Sequence, residues 1–244
     1  MNLDLPTPDS ALAIVAHPDD AEFQCGATLA KWATAGATVH HLICTDGSKG
    51  TWDADCDQAA LVAERQIEQR AAAAALGATG EVVFLDNVDG ELTSGLDQVS
   101  KVAYWIRVLR PAVIIGHDPW KRYRLHPDHR HAGTLAVEGI VGARDPFFFP
   151  EHGEPRHRPD ALLLFEAEER DHAEDVSGHA PAKTAALLEH RTQFVTTHEI
   201  TEPDNPEQRA RFANWVDHTL AEGAAEAGLP DGTHAELYKL IDRL

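Results

Sequence analysis

Residues 11–26 read Ala-Leu-Ala-Ile-Val-Ala-His-Pro-Asp-Asp-Ala-Glu-Phe-Gln-Cys-Gly, and this stretch decides how the rest of the chain is read. The apolar run from Ala11 to Ala16 has the length of a strand and stops abruptly at His17-Pro18-Asp19-Asp20. A helix-like segment follows at once. Pro18 fixes its own φ and keeps His17 extended. An imidazole and two carboxylates therefore stand where a buried strand empties into a turn. In an open α/β sheet, that end of a strand is where ligands bind. Alone, the stretch also admits a plainer reading, in which Asp19 or Asp20 caps the helix and His17 is a surface residue.

A second stretch shifts the balance. His126-Pro127-Asp128-His129, followed by Arg130 and His131, lies between a strand-like run (112–116, after Pro111) and a helix-like run (132–141). Two His/Asp clusters at two strand ends can converge on one ion. Two imidazoles and one carboxylate, with a position left open for water, compose a catalytic zinc site.

Outward from these stretches the chain alternates. Apolar, β-branched runs predict strands at 11–16, 38–44, 81–85, 112–116 and 161–166. Helices are expected at 21–35, 58–76, 96–109, 132–141, 181–194 and 206–228, with a last amphipathic helix at 234–244. Gly36 and Gly77 are placed as helix stops. Val99, Val102, Ala103, Ile106 and Leu109 recur at three-four spacing. Strands separated by helices imply a parallel sheet with right-handed crossovers. The expected fold class is thus α/β, a Rossmann-like three-layer sandwich with a mostly parallel sheet flanked by helices, as a single domain over residues 1–244. The segment 145–160, DPFFFPEHGEPRHRPD, cannot be a regular helix and is long for a loop, so a packing or functional role is expected.

Bulk properties exclude several classes. Forty acidic and 21 basic residues give a formal charge of −19, a surface that repels nucleic acid and anionic membranes. No apolar run approaches the roughly 20 residues of a membrane span, and the polar start, Met1 to Ser10, does not resemble a signal peptide. Cys25, Cys44 and Cys56 are an odd number at no metal-like spacing. They read as reduced thiols of a cytoplasmic protein, with Cys25 and Cys44 as buried small hydrophobes. A nucleotide-binding dehydrogenase needs G-x-G-x-x-G after a strand, and none is present. Lys121-Arg122-Tyr123-Arg124 is a basic cluster in an acidic chain, either solvated counter-charge or an anion-binding rim.

AHPDD at 16–20 together with HPDH at 126–129 resembles the PIG-L/LmbE-type zinc-dependent de-N-acetylases. That family includes N-acetylglucosaminyl-phosphatidylinositol deacetylase and the deacetylase and amidase of mycothiol metabolism. Thr45-Asp46-Gly47, Arg65-Gln66-Ile67-Glu68, Asp89-Gly90, Asp175-Val176-Ser177, Lys183 and His190 also resemble family positions, so the likeness covers residues 12–194. It implies His17, Asp20 and His129 as ligands of one Zn²⁺ per chain, with Fe²⁺ as the other candidate. It implies Asp19 as general base, His126 as oxyanion stabiliser and acid, Asp128 as the carboxylate that orients His126, and Arg65 and Asp89 as substrate contacts. The implied reaction removes the acetyl group from an N-acetylglucosamine-type sugar or conjugate, a small molecule, by attack of zinc-bound hydroxide. A homo-oligomer is compatible with it. Two positions depart from the family pattern: Leu125 where glycine often precedes HPDH, and Gly26-Ala27 in place of a double glycine.

Three other readings compete with this one. An amidase acting on a larger thiol-sugar conjugate uses the same chemistry. A mononuclear non-haem iron oxygenase also uses two His and one carboxylate, but usually on β-rich folds. A non-catalytic zinc protein leaves Asp19, His126 and Asp128 without a purpose.

Overall fold

The computed structural model describes residues 1–244. Strand β2 (Ser10–Val15) is buried from Ala11 onward because helices cover both faces of the sheet. Ala11, Ala13 and Val15 pack toward Leu29 and Trp32, whereas Leu12, Ile14 and Ala16 pack toward Val102, Ile106 and Leu135. That double burial is why the strand reads as a continuous apolar run and not as an alternation.

In chain order the elements are β1 (Asn2–Leu3), β2, α1 (Asp20–Thr34), β3 (Thr38–Thr45), α2 (Gln58–Ala75), β4 (Val82–Asn87), α3 (Leu96–Leu109), β5 (Val113–His117), α4 (Pro127–Arg144), β6 (Ala161–Phe165), β7 (His172–Asp175), α5 (Ala180–Leu187), α6 (Pro206–Ala227) and β8 (Ala235–Ile241). All strands join one sheet in the order β1-β7-β8-β6-β5-β2-β3-β4. The run β6-β5-β2-β3-β4 is parallel, as is β1-β7, and β8 is antiparallel to both its neighbours. The chain runs outward from β2 through β3 to β4, then returns to β5 on the other side of β2. The β2/β5 boundary is therefore the topological switch point, where an α/β sheet opens a crevice at the carboxyl ends of its strands.

The α/β class, the mostly parallel sheet and helix α6, expected at 206–228, agree with expectation; other elements of the C-terminal third do not. The helix expected at 234–244 is strand β8, inserted between β6 and β7. Leu237, Tyr238, Leu240 and Ile241 fit a helical stripe as well as a strand, and pairing with β6 and β7 decides between them. Strand β7 was not anticipated, because His-Ala-Glu-Asp carries no apolar pattern. Its Glu174 is fully buried and satisfied by Lys31 Nζ at 2.7 Å, His172 Nε2 at 2.7 Å and the Leu5 amide at 2.8 Å. The helix expected at 181–194 ends at Leu187, and its remainder is turns and a short 3-10 segment, Arg191–Gln193.

The segment 145–160 has a packing role. Buried Arg107 donates to the carbonyls of Gly142 (2.8 Å), Ala143 (3.2 Å), Asp145 (3.0 Å), Phe148 (2.8 Å) and Phe149 (3.1 Å). One side chain thus satisfies a loop that has few backbone partners of its own. No helix is long and apolar enough to cross a membrane.

Helix α1 is broken at Cys25, whose φ of −141° and ψ of 16° are not helical. Two charged side chains repair the break. Lys183 Nζ donates to the Phe23 carbonyl at 2.7 Å, and Glu236 accepts from the amides of Ala27 (3.2 Å) and Thr28 (2.7 Å). The two side chains bond each other at 2.6 Å. Glu236 acts as the N-cap of the second half of the helix, supplied by a distant strand. Lys183→Met strands Glu236 as a buried unpaired charge, so it is expected to lower the unfolding free energy by about 3 kcal/mol in urea titration.

Candidate metal centre and catalytic cleft

The candidate residues gather at the switch point. His17, Pro18, Asp19 and Asp20 follow β2, His117 ends β5, Asp89 follows β4, and His126 to His129 open α4. Pro127 stands in the first turn of α4, where its fixed φ favours the helix and its missing N–H costs nothing.

Asp20 is the centre of the cluster. Its Oδ2 lies 3.3 Å from His17 Nδ1 and 3.4 Å from His117 Nε2, and its Oδ1 lies 3.3 Å from His129 Nε2. Oδ2 also accepts the His17 backbone N–H at 2.8 Å, which closes the turn. Burial pushes the Asp20 carboxyl up, but the imidazoles of His129, His117 and His17 outweigh it and hold the group well below the usual carboxylate range.

His17 is caged by carboxylates on its other edge. Its Nε2 lies 3.2 Å from Asp128 Oδ2 and 3.3 Å from Asp89 Oδ1. Burial lowers its pKa, yet hydrogen bonds to Asp128, Asp20 and Asp89 raise it well above the ordinary value. The same cage stabilises any cation placed at its centre. Were an ion to displace the Nδ1 proton, Nε2–H would still donate to Asp128 and Nδ1 would face the ion beside Asp20, the carboxylate–histidine arrangement typical of metal ligands. The His129 imidazole is lowered to about 4, chiefly by burial, and so offers a neutral nitrogen at physiological pH. Two imidazole nitrogens and a carboxylate oxygen are a donor set that suits zinc, so the residues present fit such an ion.

Asp128 is placed differently from expectation. Its hydrogen bonds go to His17 and to the amides of Gly90 (2.6 Å) and Leu92 (3.2 Å). It thus orients His17 and ties α4 to the loop after β4, instead of bonding His126. His126 is itself the N-cap of α4, exposed, with its ring edge-on to His17 at 4.6 Å and stacked on His129 at 5.0 Å. Burial and the nearby His17 lower its pKa.

Asp19 occupies the N-cap position of α1 but caps nothing, and its φ is 101°. Such a backbone costs on the order of 1–3 kcal/mol for a residue with a side chain, and strain of this kind concentrates at functional sites. Its carboxyl group lies on the cleft and is pushed up to about 6, chiefly by burial. Capping by Asp19 or Asp20, the plainer reading, is not what the turn does.

Arg65 is 3% exposed. It donates to the carbonyls of Pro18 (2.6 Å) and Gly47 (2.7 Å) and lies 3.5 Å from Asp19 Oδ2, so it clamps the turn that carries Asp19. Asp89 accepts the Lys49 amide at 3.1 Å and faces His17. Both residues line a cleft of about 460 Å³ together with His17, Asp19, Asp20, His126 and His129. Trp52 stands at its mouth, 81% exposed. The basic cluster is mostly paired: Lys121 with Glu166 at 3.2 Å, Arg122 with Glu168 at 3.9 Å, and Arg124 with Glu166. Its charge is therefore largely directed to glutamates, although Arg124 Nη1 also lies 3.3 Å from His129 Nδ1 on the cleft wall.

Sequence reasoning missed His117 and Glu166. His117 stacks on His129 at 4.4 Å and lies 3.7 Å from Glu166. Its only sequence signal is a polar residue at the end of an apolar strand, which the AHPDD strand shares.

An α/β sheet with a His/Asp cluster at its switch point, able to hold a metal ion, defines a protein of the doubly wound class. The chain belongs to the PIG-L family, described as GlcNAc-PI de-N-acetylase, which matches residues 12–140. It is 32% identical over 216 residues to diacetylchitobiose deacetylase of Thermococcus kodakarensis, over 87% of this chain and 80% of that one. It is 31% identical over 226 residues to the 1D-myo-inositol 2-acetamido-2-deoxy-alpha-D-glucopyranoside deacetylase of Streptomyces scabiei, over 78% of this chain and 68% of that one. Its fold is similar to that of N,N'-diacetylchitobiose deacetylase from Pyrococcus horikoshii, with a TM-score of 0.83 at 23% identity, over 96% of this chain and 84% of that one.

Because Asp128 sets the orientation of His17, Asp128→Asn is expected to weaken zinc binding by roughly 10–100-fold in a competition titration against a chromophoric chelator. An unchanged affinity removes Asp128 from the support of the centre.

Proposed function

We propose that this chain is a zinc-dependent N-deacetylase that cleaves the acetamide of an N-acetylglucosamine-type sugar or conjugate. The observation that carries the reading is Asp19, an uncapping, strained carboxylate on the cleft, one residue from a carboxylate shared by three imidazoles. In this reading His17, Asp20 and His129 hold the ion. When bound, zinc supplies Lewis-acid chemistry, acidifying water and polarising the amide carbonyl.

The chain's own residues do the rest. Asp19 takes the proton of the attacking water as the new C–O bond forms. His126, across the cleft, donates to the carbonyl oxygen as it gains negative charge. The C–N bond then breaks, and His126 delivers a proton to the leaving amine, so that acetate and a free amino sugar result. Asp128 and Asp89 hold His17, and Arg65 holds the turn beneath Asp19. Asp89 also faces the space where sugar hydroxyls would lie. Trp52 offers an exposed aromatic face to the apolar side of a second ring. Fully deacetylase-named relatives at 31–32% identity favour acetyl removal over cleavage of a larger thiol-sugar amide. Three unpaired thiols support a cytoplasmic setting.

Release of amine from N,N'-diacetylchitobiose and from N-acetylglucosamine, followed with a fluorogenic amine reagent, tests the reaction. Asp19→Asn is expected to keep its zinc and lose about 10²–10⁴-fold in kcat. Full activity in that variant removes the proposed base. Trp52→Ala is expected to raise KM about tenfold for the disaccharide while leaving the monosaccharide unchanged, and an equal change for both removes the second-ring contact.

A further inference from the structure

Asp19 is held in a conformation that its place in the helix opposes. An aspartate at an N-cap ordinarily adopts an extended backbone and turns its carboxylate onto the free amides of the first turn. Here the backbone lies in the left-handed region, at φ 101°, and no capping bond is made. The Asp19 amide donates instead to Gln69 Oε1 at 3.0 Å, in a buried hydrogen bond. Gln69 is fully buried on α2 and is itself fixed, because its Nε2 donates to Glu22 Oε1 at 2.8 Å. Glu22, also fully buried, meets His190 Nε2 at 3.3 Å and lies 3.6 Å from His41 Nε2. Neighbouring Glu68 binds Thr192 twice, at 2.8 Å to its amide and 2.6 Å to its hydroxyl. Helix α2 is thereby locked to the connector that carries His190.

Gln69, Glu22 and His190 do not line the cleft, so they cannot touch a substrate there. Their side-chain hydrogen bonds reach it through the backbone of Asp19. An amide with two distinct partners tells them apart by geometry, since its oxygen accepts and its nitrogen donates. Glu22, as an acceptor, fixes which way round the Gln69 amide sits, and that leaves the oxygen for Asp19.

We infer that Gln69 is a positioning residue for the deacetylation: the Gln69–Glu22–His190 chain of hydrogen bonds locks Asp19 out of its N-cap conformation and keeps its carboxylate on the cleft. This rests on the reading of Asp19 as the base.

Gln69→Leu removes both bonds at nearly constant size. Zinc content by elemental analysis and KM are expected to stay unchanged while kcat falls about a hundredfold, the cost of a misplaced catalytic group. Hydrogen exchange at the Asp19 amide is expected to speed by at least about tenfold. The swap Gln69→Glu with Glu22→Gln rebuilds the pattern, with position 69 accepting from Asp19 and position 22 donating to position 69. It is expected to recover most of the lost kcat and the slow exchange, as coupled neighbours do. If Gln69→Leu does not fold, Gln69→Met, which lacks the amide at similar length, takes its place. Wild-type kcat and exchange in the single variant, loss of zinc in step with kcat, or a swap no better than the single variant would each overturn the inference. Asp19→Asn, assayed in parallel, separates the two readings. An inactive Asp19→Asn beside a fully active Gln69→Leu removes the positioning role alone, whereas an active Asp19→Asn removes the base and, with it, the role of Gln69.

Discussion

The structure around the cleft depends on one buried carboxylate. Asp20 lies within 3.4 Å of nitrogens from three imidazoles, each delivered by a different part of the chain: the β2 turn, the end of β5 and the first turn of α4. A carboxylate with so little water has to be matched by positive charge or by donors. The sheet topology makes that possible, because β2 and β5 are neighbours whose crossovers leave in opposite directions. The crevice between them brings His17 to face His117 and His129, which lie about a hundred positions further along the chain.

Other buried charges stitch the surrounding scaffold in the same manner. Lys183 and Glu236 bridge the break in α1, so that the first turn of this helix can follow the His17–Asp20 turn while the remainder packs on the sheet. Glu174 holds the amino-terminal segment and α1 to β7. These contacts put polar atoms where a generic sandwich has only apolar ones, and each is satisfied by named partners, as buried polar networks must be to be tolerated.

Legibility in the sequence follows from this division. Strands β2, β3, β5 and β6 were readable because parallel strands covered on both faces are written as apolar runs. Strand β7 was not, since His172 and Glu174 are buried by pairing and not by hydrophobicity. In β8 the apolar spacing fits two periods, and only neighbouring strands choose between them. At the site, His17, Asp20 and His129 were legible from two short motifs at strand ends. His117 was not, because its meaning comes from strand register beside Ala16, which no local pattern encodes. The change in the partner of Asp128, from His126 to His17, has the same origin: residues two apart in a helix turn need not face each other.

The proposal at the centre of the site is that His17 and His129 share one cation with Asp20. X-ray absorption at the zinc edge of the protein loaded with one equivalent of zinc tests it most directly. The account predicts a first shell of nitrogen and oxygen at about 2.0–2.1 Å with multiple scattering from two imidazoles, and a shell that loses one imidazole in His129→Ala. A shell containing sulfur, or one unaltered by His129→Ala, would contradict it.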